Sequence, residues 1–207
     1  MQPCLLSGLL VQPIAERIRG WNLAGKLDED DLDRALTRHA RDWVDHAAQA
    51  ADWVPIEDVE SLVGLMAEQL GGEPGFVEWA DEIAEGWRGL SSIDDLVRAA
   101  RGLIDAPGYM VSMASDRLLR DAGWCYEGGR AAFSVRLQGL SESSPALKTL
   151  VGAVLARLAA RASDRPFDIR FEGVDGPDLV VFGELESDGS ASDPLGESRL
   201  HRAALVA

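Results

Sequence analysis

Between Asp42 and Trp87 the chain carries twelve carboxylates and no Lys or Arg, yet its apolar residues recur there at helical spacing. A stretch of like charge stays unfolded through self-repulsion unless it can bury enough apolar surface. Ile56, Val59, Val63, Met66 and Leu70 fall at intervals of three and four, as do Phe76, Ala80, Ile83 and Trp87. That period places each set on one side of a helix and leaves the acids on the other. The stretch therefore reads as two amphipathic helices with acidic outer faces. One face carries Glu57, Glu60 and Glu68, with Gly64 in the same row. The other carries Glu78, Asp81, Glu82 and Glu85, spaced i, i+3, i+4 and i+7 so that they form one stripe.

The flanking segments extend this helical part. Leu5–Val11 is an apolar run, either a buried strand or the entry to a helix over Pro13–Arg19. Asp28-Glu29-Asp30-Asp31 opens a long helix, because acids offset the dipole at a helix start, with Leu32, Leu36, Ala40, Trp43 and Ala47 as its stripe. Trp53-Val54-Pro55 breaks it, and Pro55 suits the first position of the next helix. Gly71-Gly72 ends that one. Ser91–Asp95 caps a helix carrying Ile93, Leu96, Val97, Ala100 and Ile104. A further helix near Tyr109–Asp121 turns Met110, Met113, Ala114 and Leu118 inward.

The pattern changes at Gly123. Trp124–Tyr126 and Ala131–Gly139 read as strands around Gly128-Gly129, with Phe133, Val135 and Leu137 alternating against polar residues. Ser144-Pro145 begins a helix with Leu147, Val151, Val154 and Leu158 inward. Phe167, Ile169 and Phe171 mark a third strand and Leu179–Phe182 a fourth. The expected class is α+β: a helical part over residues 1–122, packed with a C-terminal antiparallel sheet of about four strands over residues 123–185, covered by one helix. Residues 186–207 are Ser/Asp/Gly-rich and read as a flexible acidic tail, with Arg199–Val206 as a short helical end or a frayed one.

The net charge is −15, and residues 1–123 hold 23 of the 35 acids but 11 of the 20 bases. Such a surface repels a phosphate backbone, so direct nucleic-acid binding is not expected. The apolar start is cut short by Pro13, Glu16 and Arg17, well below the roughly 20 residues that span a bilayer, so no membrane association is expected. Two cysteines, Cys4 and Cys125, cannot build a disulfide framework. They read as free thiols of a soluble cytoplasmic protein, Cys125 being buried and inert between Trp124 and Tyr126.

No catalytic constellation stands out. His39, Asp42 and His46 share a helix flank and offer a partial metal set, but ordinary helix-flank histidines are the simpler reading, so no metal is assigned. The Asp28–Asp33 acids lack calcium-loop spacing. There is no Gly-x-Ser-x-Gly elbow and no glycine loop followed by Lys to cradle a phosphate. The six tryptophans divide by position. Trp43 and Trp87 fall on inward stripes, whereas Trp79 adjoins the acidic stripe and Trp53 a helix junction. A Trp amid acids is the composition of an anchor for a basic amphipathic partner, although core packing is the commoner fate of a Trp. Met66, Met110 and Met113 read as core filling.

The order of Trp53-Val54-Pro55, the helix ending in Gly71-Gly72, the Ala131–Gly139 strand, the Leu147–Leu158 helix and the Phe167–Phe182 hairpin resembles a superfamily of small-ligand domains. It joins heme-nitric-oxide/oxygen-binding-like domains with 4-vinyl-reductase-type domains, and the likeness is to its myxobacterial paralogues in particular. The resemblance, over residues 5–185, is one of topology and hydrophobicity. It implies the same fold and a small apolar or tetrapyrrole ligand between helices and sheet. The family's Tyr-x-Ser-x-Arg heme signature has no counterpart here, and Gly173-Val174-Asp175-Gly176 stands where the relatives' hairpin cysteines lie. No ligand-binding residue carries over, and no cofactor is assigned.

These observations lead to an expected function: a non-enzymatic cytoplasmic interaction or regulatory (signalling) module. Its partner-binding residues are Glu57, Glu60, Glu68, Glu78, Trp79, Asp81, Glu82 and Glu85, and its partner is a basic protein, with homodimerisation left open. The alternative is the ligand sensor of the resembled superfamily. A third reading gives the acidic surface no role beyond solubility.

Overall fold

Ser7 settles the two readings of the first apolar run. The computed structural model describes residues 4–46, 52–101, 103, 105–129 and 131–186. In it Leu5–Ser7 form strand β1, and the Ser7 hydroxyl accepts a hydrogen bond from the Leu9 amide (3.3 Å), capping helix α1 (Gly8–Leu23). The run is both strand and helix entry. Ala47, Ile104 and all but the first residue of the tail expected over 186–207 lie outside the described residues.

The long helix expected from Asp28 is two helices. Asp28 and Asp31 form a reciprocal capping box that starts α2 (Glu29–Ala35). The chain then extends at Leu36, and α3 (Arg38–His46) begins afresh. The Thr37 hydroxyl accepts from the Ala40 amide (3.1 Å) and donates to the Asp58 carboxylate (2.6 Å). That second bond comes from 21 residues away and is invisible to local periodicity.

Trp53–Pro55 is strand β2, with Pro55 as cap of α4 (Ile56–Leu70) and not its first helical residue. Gly71, at φ +76°, closes α4 in the left-handed conformation that glycine adopts without strain. Helices α5 (Glu73–Gly86), α6 (Ser91–Arg101) and α7 (Ala106–Leu118) follow; Val59, Val63 and Met66 of α4, Phe76, Ala80 and Ile83 of α5 and Trp87 at its end are buried as their spacing predicts. Strand β3 (Leu119–Arg120) and β2 flank β1, both antiparallel to it, in a small sheet that the sequence did not announce.

The second sheet is the expected one, with β4 (Trp124–Gly128), β5 (Ala132–Leu137), β6 (Phe167–Glu172) and β7 (Leu179–Leu185) in the antiparallel order β4-β5-β7-β6. Register pairs Tyr126 with Val135 and Val135 with Val181, so the apolar residues share the covered face. Helix α8 (Pro145–Ala162) covers it, and the architecture is α+β. Its buried residues, including Leu147, Leu150, Val151, Val154, Leu155 and Leu158, lie on every side of the axis because α5 and α7 pack it opposite the sheet. Each such side chain stabilises the fold by roughly 1.5–3 kcal/mol. Buried residues of both parts join one core.

Candidate functional site

Helix α5 was expected to present an open acidic stripe, and it does turn Glu78, Asp81, Glu82 and Glu85 to the surface. The stripe is not free, however. Arg17 of α1 lies 3.6 Å from Glu82, Arg157 of α8 lies 2.6 Å from Asp81, and Arg88 lies 2.9 Å from Glu85. Only Glu78 of the four has no cationic partner among the described residues. Exposed ion pairs of this kind contribute about 0–1 kcal/mol each, so their effect is on the field more than on stability. The arginines reach α5 from across the fold or from its own C-terminal end, and together they turn an acidic rod into a mixed-charge one. The reading of a continuous acidic docking face is corrected accordingly.

The α4 row divides as well. Glu57 and Glu68 are exposed. Glu60 is half-buried and accepts hydrogen bonds from the Ser144 amide (2.8 Å) and the Ser144 hydroxyl. It caps the start of α8 and is structural. Trp79 is 5% exposed and belongs to the core, so it is no surface anchor. The exposed tryptophan is Trp124, whose indole Nε1 donates to Asp116 (2.8 Å). Cys125 is exposed, contrary to expectation, because β4 is an edge strand and Cys125 pairs with exposed Arg136 on the uncovered face. Cys4 is buried, and burial reinforced by Asp121 pushes its thiol up to about 11.

His39, Asp42 and His46 do not converge. His39 Nδ1 lies 3.6 Å from the buried Asp58 carboxylate, while His46 Nδ1 contacts the Asp42 carbonyl at 3.2 Å. Among the described residues no group of three or more His, Cys, Asp or Glu is placed to hold a metal. Asp105, at the start of α7, has both carboxylate oxygens buried without a hydrogen-bond partner among the described residues. Burial raises its pKa, and the nearby Gly108 amide offsets this only in part.

What the surface does offer is a groove of about 520 Å³ between α1 and α5. Its floor is apolar, built from Leu9, Pro13, Trp79, Ile83, Trp87 and Leu90. Its rim is charged, with Glu16 on one side and the Arg17–Glu82 pair reaching across. Trp79 and Trp87 are core residues whose edges line this floor, while Leu90 is 39% exposed. At Gly86 an added Cβ would meet nothing within 4 Å, so the groove is open at the end of α5. The α1 half of this site, Leu9, Pro13 and Glu16, was missed. The sequence left open whether Leu5–Val11 was strand or helix entry, so the face that α1 presents could not be assigned; the available signal was Pro13 followed by Glu16 and Arg17.

Two further grooves lie near it. One, of about 590 Å³, runs between α5 and α8 and shares Glu82 with the first. The other, of about 430 Å³, lies between α8 and β6 and shares Arg157 and Ala160 with the second. The helix–sheet interface itself is tight, since a Cβ at Gly152 would lie 2.7 Å from the Phe171 ring. No helix among the described residues is long and apolar enough to cross a membrane. Comparison with protein-family models, curated proteins and solved structures finds no match to this chain.

Proposed function

We propose that this chain is a non-enzymatic, cytoplasmic regulatory module that holds a basic, amphipathic segment of another protein in the groove between α1 and α5. The observation that carries the reading is the groove's make-up: an apolar floor beside Glu16, a carboxylate with no cationic partner among the described residues. Apolar side chains of a bound helix would pack on half-buried Leu9 and Pro13 and on exposed Leu90, over the edges of the core residues Trp79, Ile83 and Trp87, and supply most of the affinity. A Lys or Arg at its edge would meet Glu16, or compete with Arg17 for Glu82, and set orientation and encounter rate. Two free thiols are in keeping with a reducing compartment.

The test uses fluorescent basic amphipathic helical peptides titrated against the full chain, with Trp emission as a second readout. Micromolar binding that weakens several-fold between 50 and 300 mM salt, on the order expected for rim charges, is the anticipated result. Gly86→Met, at a position that lines the groove and where an added Cβ meets nothing within 4 Å, should weaken binding and leave the thermal midpoint nearly unchanged. Binding that ignores both Gly86→Met and salt would overturn the assignment.

A further inference from the structure

The two edges of the four-stranded sheet differ. At one edge β6 turns exposed Asp168, Arg170 and Glu172 to the uncovered face, a charged row of the kind that keeps an edge from pairing with another chain. At the other, β4 carries Glu127 as its one charge and no proline, and every residue but Tyr126 is exposed. The Gln138 amide donates to the Gly123 carbonyl (2.7 Å) and the Gly129 amide to the Ala132 carbonyl (2.9 Å), which fixes the phase of the ladder with β5. Cys125 and Glu127 share that phase and bond to β5. Trp124, Tyr126 and Gly128 therefore point their amides and carbonyls outward, where no described strand meets them. Helix α7 runs beneath this edge. Its Asp116 accepts from the Trp124 indole, and an added Cβ at Gly108 would lie 2.8 Å from the Tyr126 ring. On α7, exposed Tyr109, half-buried Met113 and exposed Asp116 fall at i, i+4 and i+7, so they share the side that meets Trp124. Tyr109 and Trp124 are the two aromatic rings among the large apolar side chains left exposed in the described fold, and both lie on this unpartnered side.

We propose that β4 pairs with β4 of a second copy of this chain, antiparallel about a two-fold axis at Tyr126, and joins two four-stranded sheets into one. Such a contact uses the same patch twice, so the patch must complement itself. In this register β4 does. Tyr126 meets Tyr126 as a hydrogen-bonded pair and Trp124 meets Gly128 of the second copy, which uses all the outward amides and carbonyls. Each indole then lies across from a residue without a side chain, next to the Phe133 that pairs with that glycine. On the uncovered face Glu127 meets Cys125 of the second copy and not another carboxylate. Glu127 has no cationic partner among the described residues. Exposed Arg136 stands opposite Cys125 in its own sheet, so in the joined sheet it lies two strands, about 10 Å, from Glu127 of the second copy. That is within a Debye length at 0.1 M salt, roughly 10 Å, and the small cysteine between them leaves the approach clear. Each copy thus supplies a cation to the carboxylate that the other leaves unpaired.

The experiment is sedimentation of the full, reduced chain from about 1 to about 100 μM, where a species of twice the chain's mass is expected to form. Cys125→Glu sets a carboxylate directly opposite Glu127 at both ends of the pairing, on an exposed face. It should weaken dimerisation about tenfold while the far-UV spectrum stays that of the folded chain. Adding Glu127→Lys turns both repulsions into attractions and should restore the dimer. In parallel, Glu127→Cys under mild oxidation should give a covalent dimer through the facing Cys125, since residues opposite each other in a non-hydrogen-bonded pair bring their Cβ atoms within disulfide reach. Cys125→Ser in that background should remove the cross-link, buried Cys4 taking no part. A chain that stays monomeric at about 100 μM overturns the proposal, even where an extended peptide of another protein binds the edge. A dimer indifferent to Cys125→Glu, or a cross-link that survives Cys125→Ser, overturns it equally, because the interface then lies elsewhere.

Discussion

Replacing Glu60 by Ala tests whether the acids on α4 serve the fold or the surface. The Glu60 carboxylate accepts from the Ser144 amide at 2.8 Å and from the Ser144 hydroxyl, across 84 residues of sequence. It is the direct tie between α4 and the start of α8. A hydrogen bond to a charged group is worth about 1.5–3 kcal/mol net, and the carboxylate also favours the helix N-terminus by about 0.3–1 kcal/mol. Glu60 is half-buried, so water replaces part of the lost contact, and Ser144 retains its own cap to the Leu147 amide at 3.2 Å. The expected loss is therefore about 2 kcal/mol, below the sum of these contributions. For a chain of this size that lowers the thermal midpoint by roughly 4–8 °C. The control is Glu57→Ala, three positions away, exposed and without a described partner, which should stay within about 0.5 kcal/mol. Urea and thermal unfolding of both variants give the answer. Equal shifts for Glu60→Ala and Glu57→Ala would refute the assignment of Glu60 to the fold.

Other consequences are as specific. Iodoacetamide at pH 8 should label the native protein once, at exposed Cys125, and the unfolded protein twice, because the Cys4 thiol is pushed up to about 11; mass spectrometry counts the adducts, and rapid native labelling of Cys4 would contradict its burial. The raised pKa of Asp105 means the fold prefers its protonated form, so its contribution is favourable below the unfolded-state pKa and is lost as pH rises through the folded value. Asp105→Asn should thus stabilise the protein at pH 7 and lose that advantage near pH 3, roughly where both forms are neutral; an advantage that does not change with pH would count against it. Gly152→Ala gains about 1 kcal/mol in helix propensity but places a methyl 2.7 Å from the Phe171 ring, where overpacking costs about 1–3 kcal/mol, so a net loss near 1 kcal/mol is expected in urea melts.

The inward stripes were legible because each depends on local period alone: Val59, Val63 and Met66 on α4, and Phe76, Ala80 and Ile83 on α5, needed no knowledge of their partners. The four-stranded sheet was legible for the same reason, through Phe133, Val135 and Leu137. The three-stranded sheet was not, since strands of two or three residues are too short to alternate. The break at Leu36 and Thr37 depends on Asp58, and the fate of the α5 acids depends on Arg17 and Arg157. Spacing located those carboxylates on the outside correctly, but it carries no information on which distant cation folds back over them.

Helix α8 has a consequence for the order in which the chain is made. It lies between α5, α7 and the sheet, and its Arg161 donates to the Ala84 carbonyl near the end of α5 while Ser144 at its start is held by Glu60. During synthesis, the side of α5 that packs on α8 emerges bare and waits for some eighty residues, roughly 4–16 s at 5–20 residues per second. Nascent chains of this protein therefore carry the side of α5 that packs on α8 uncovered until residue 162 has cleared the ribosome.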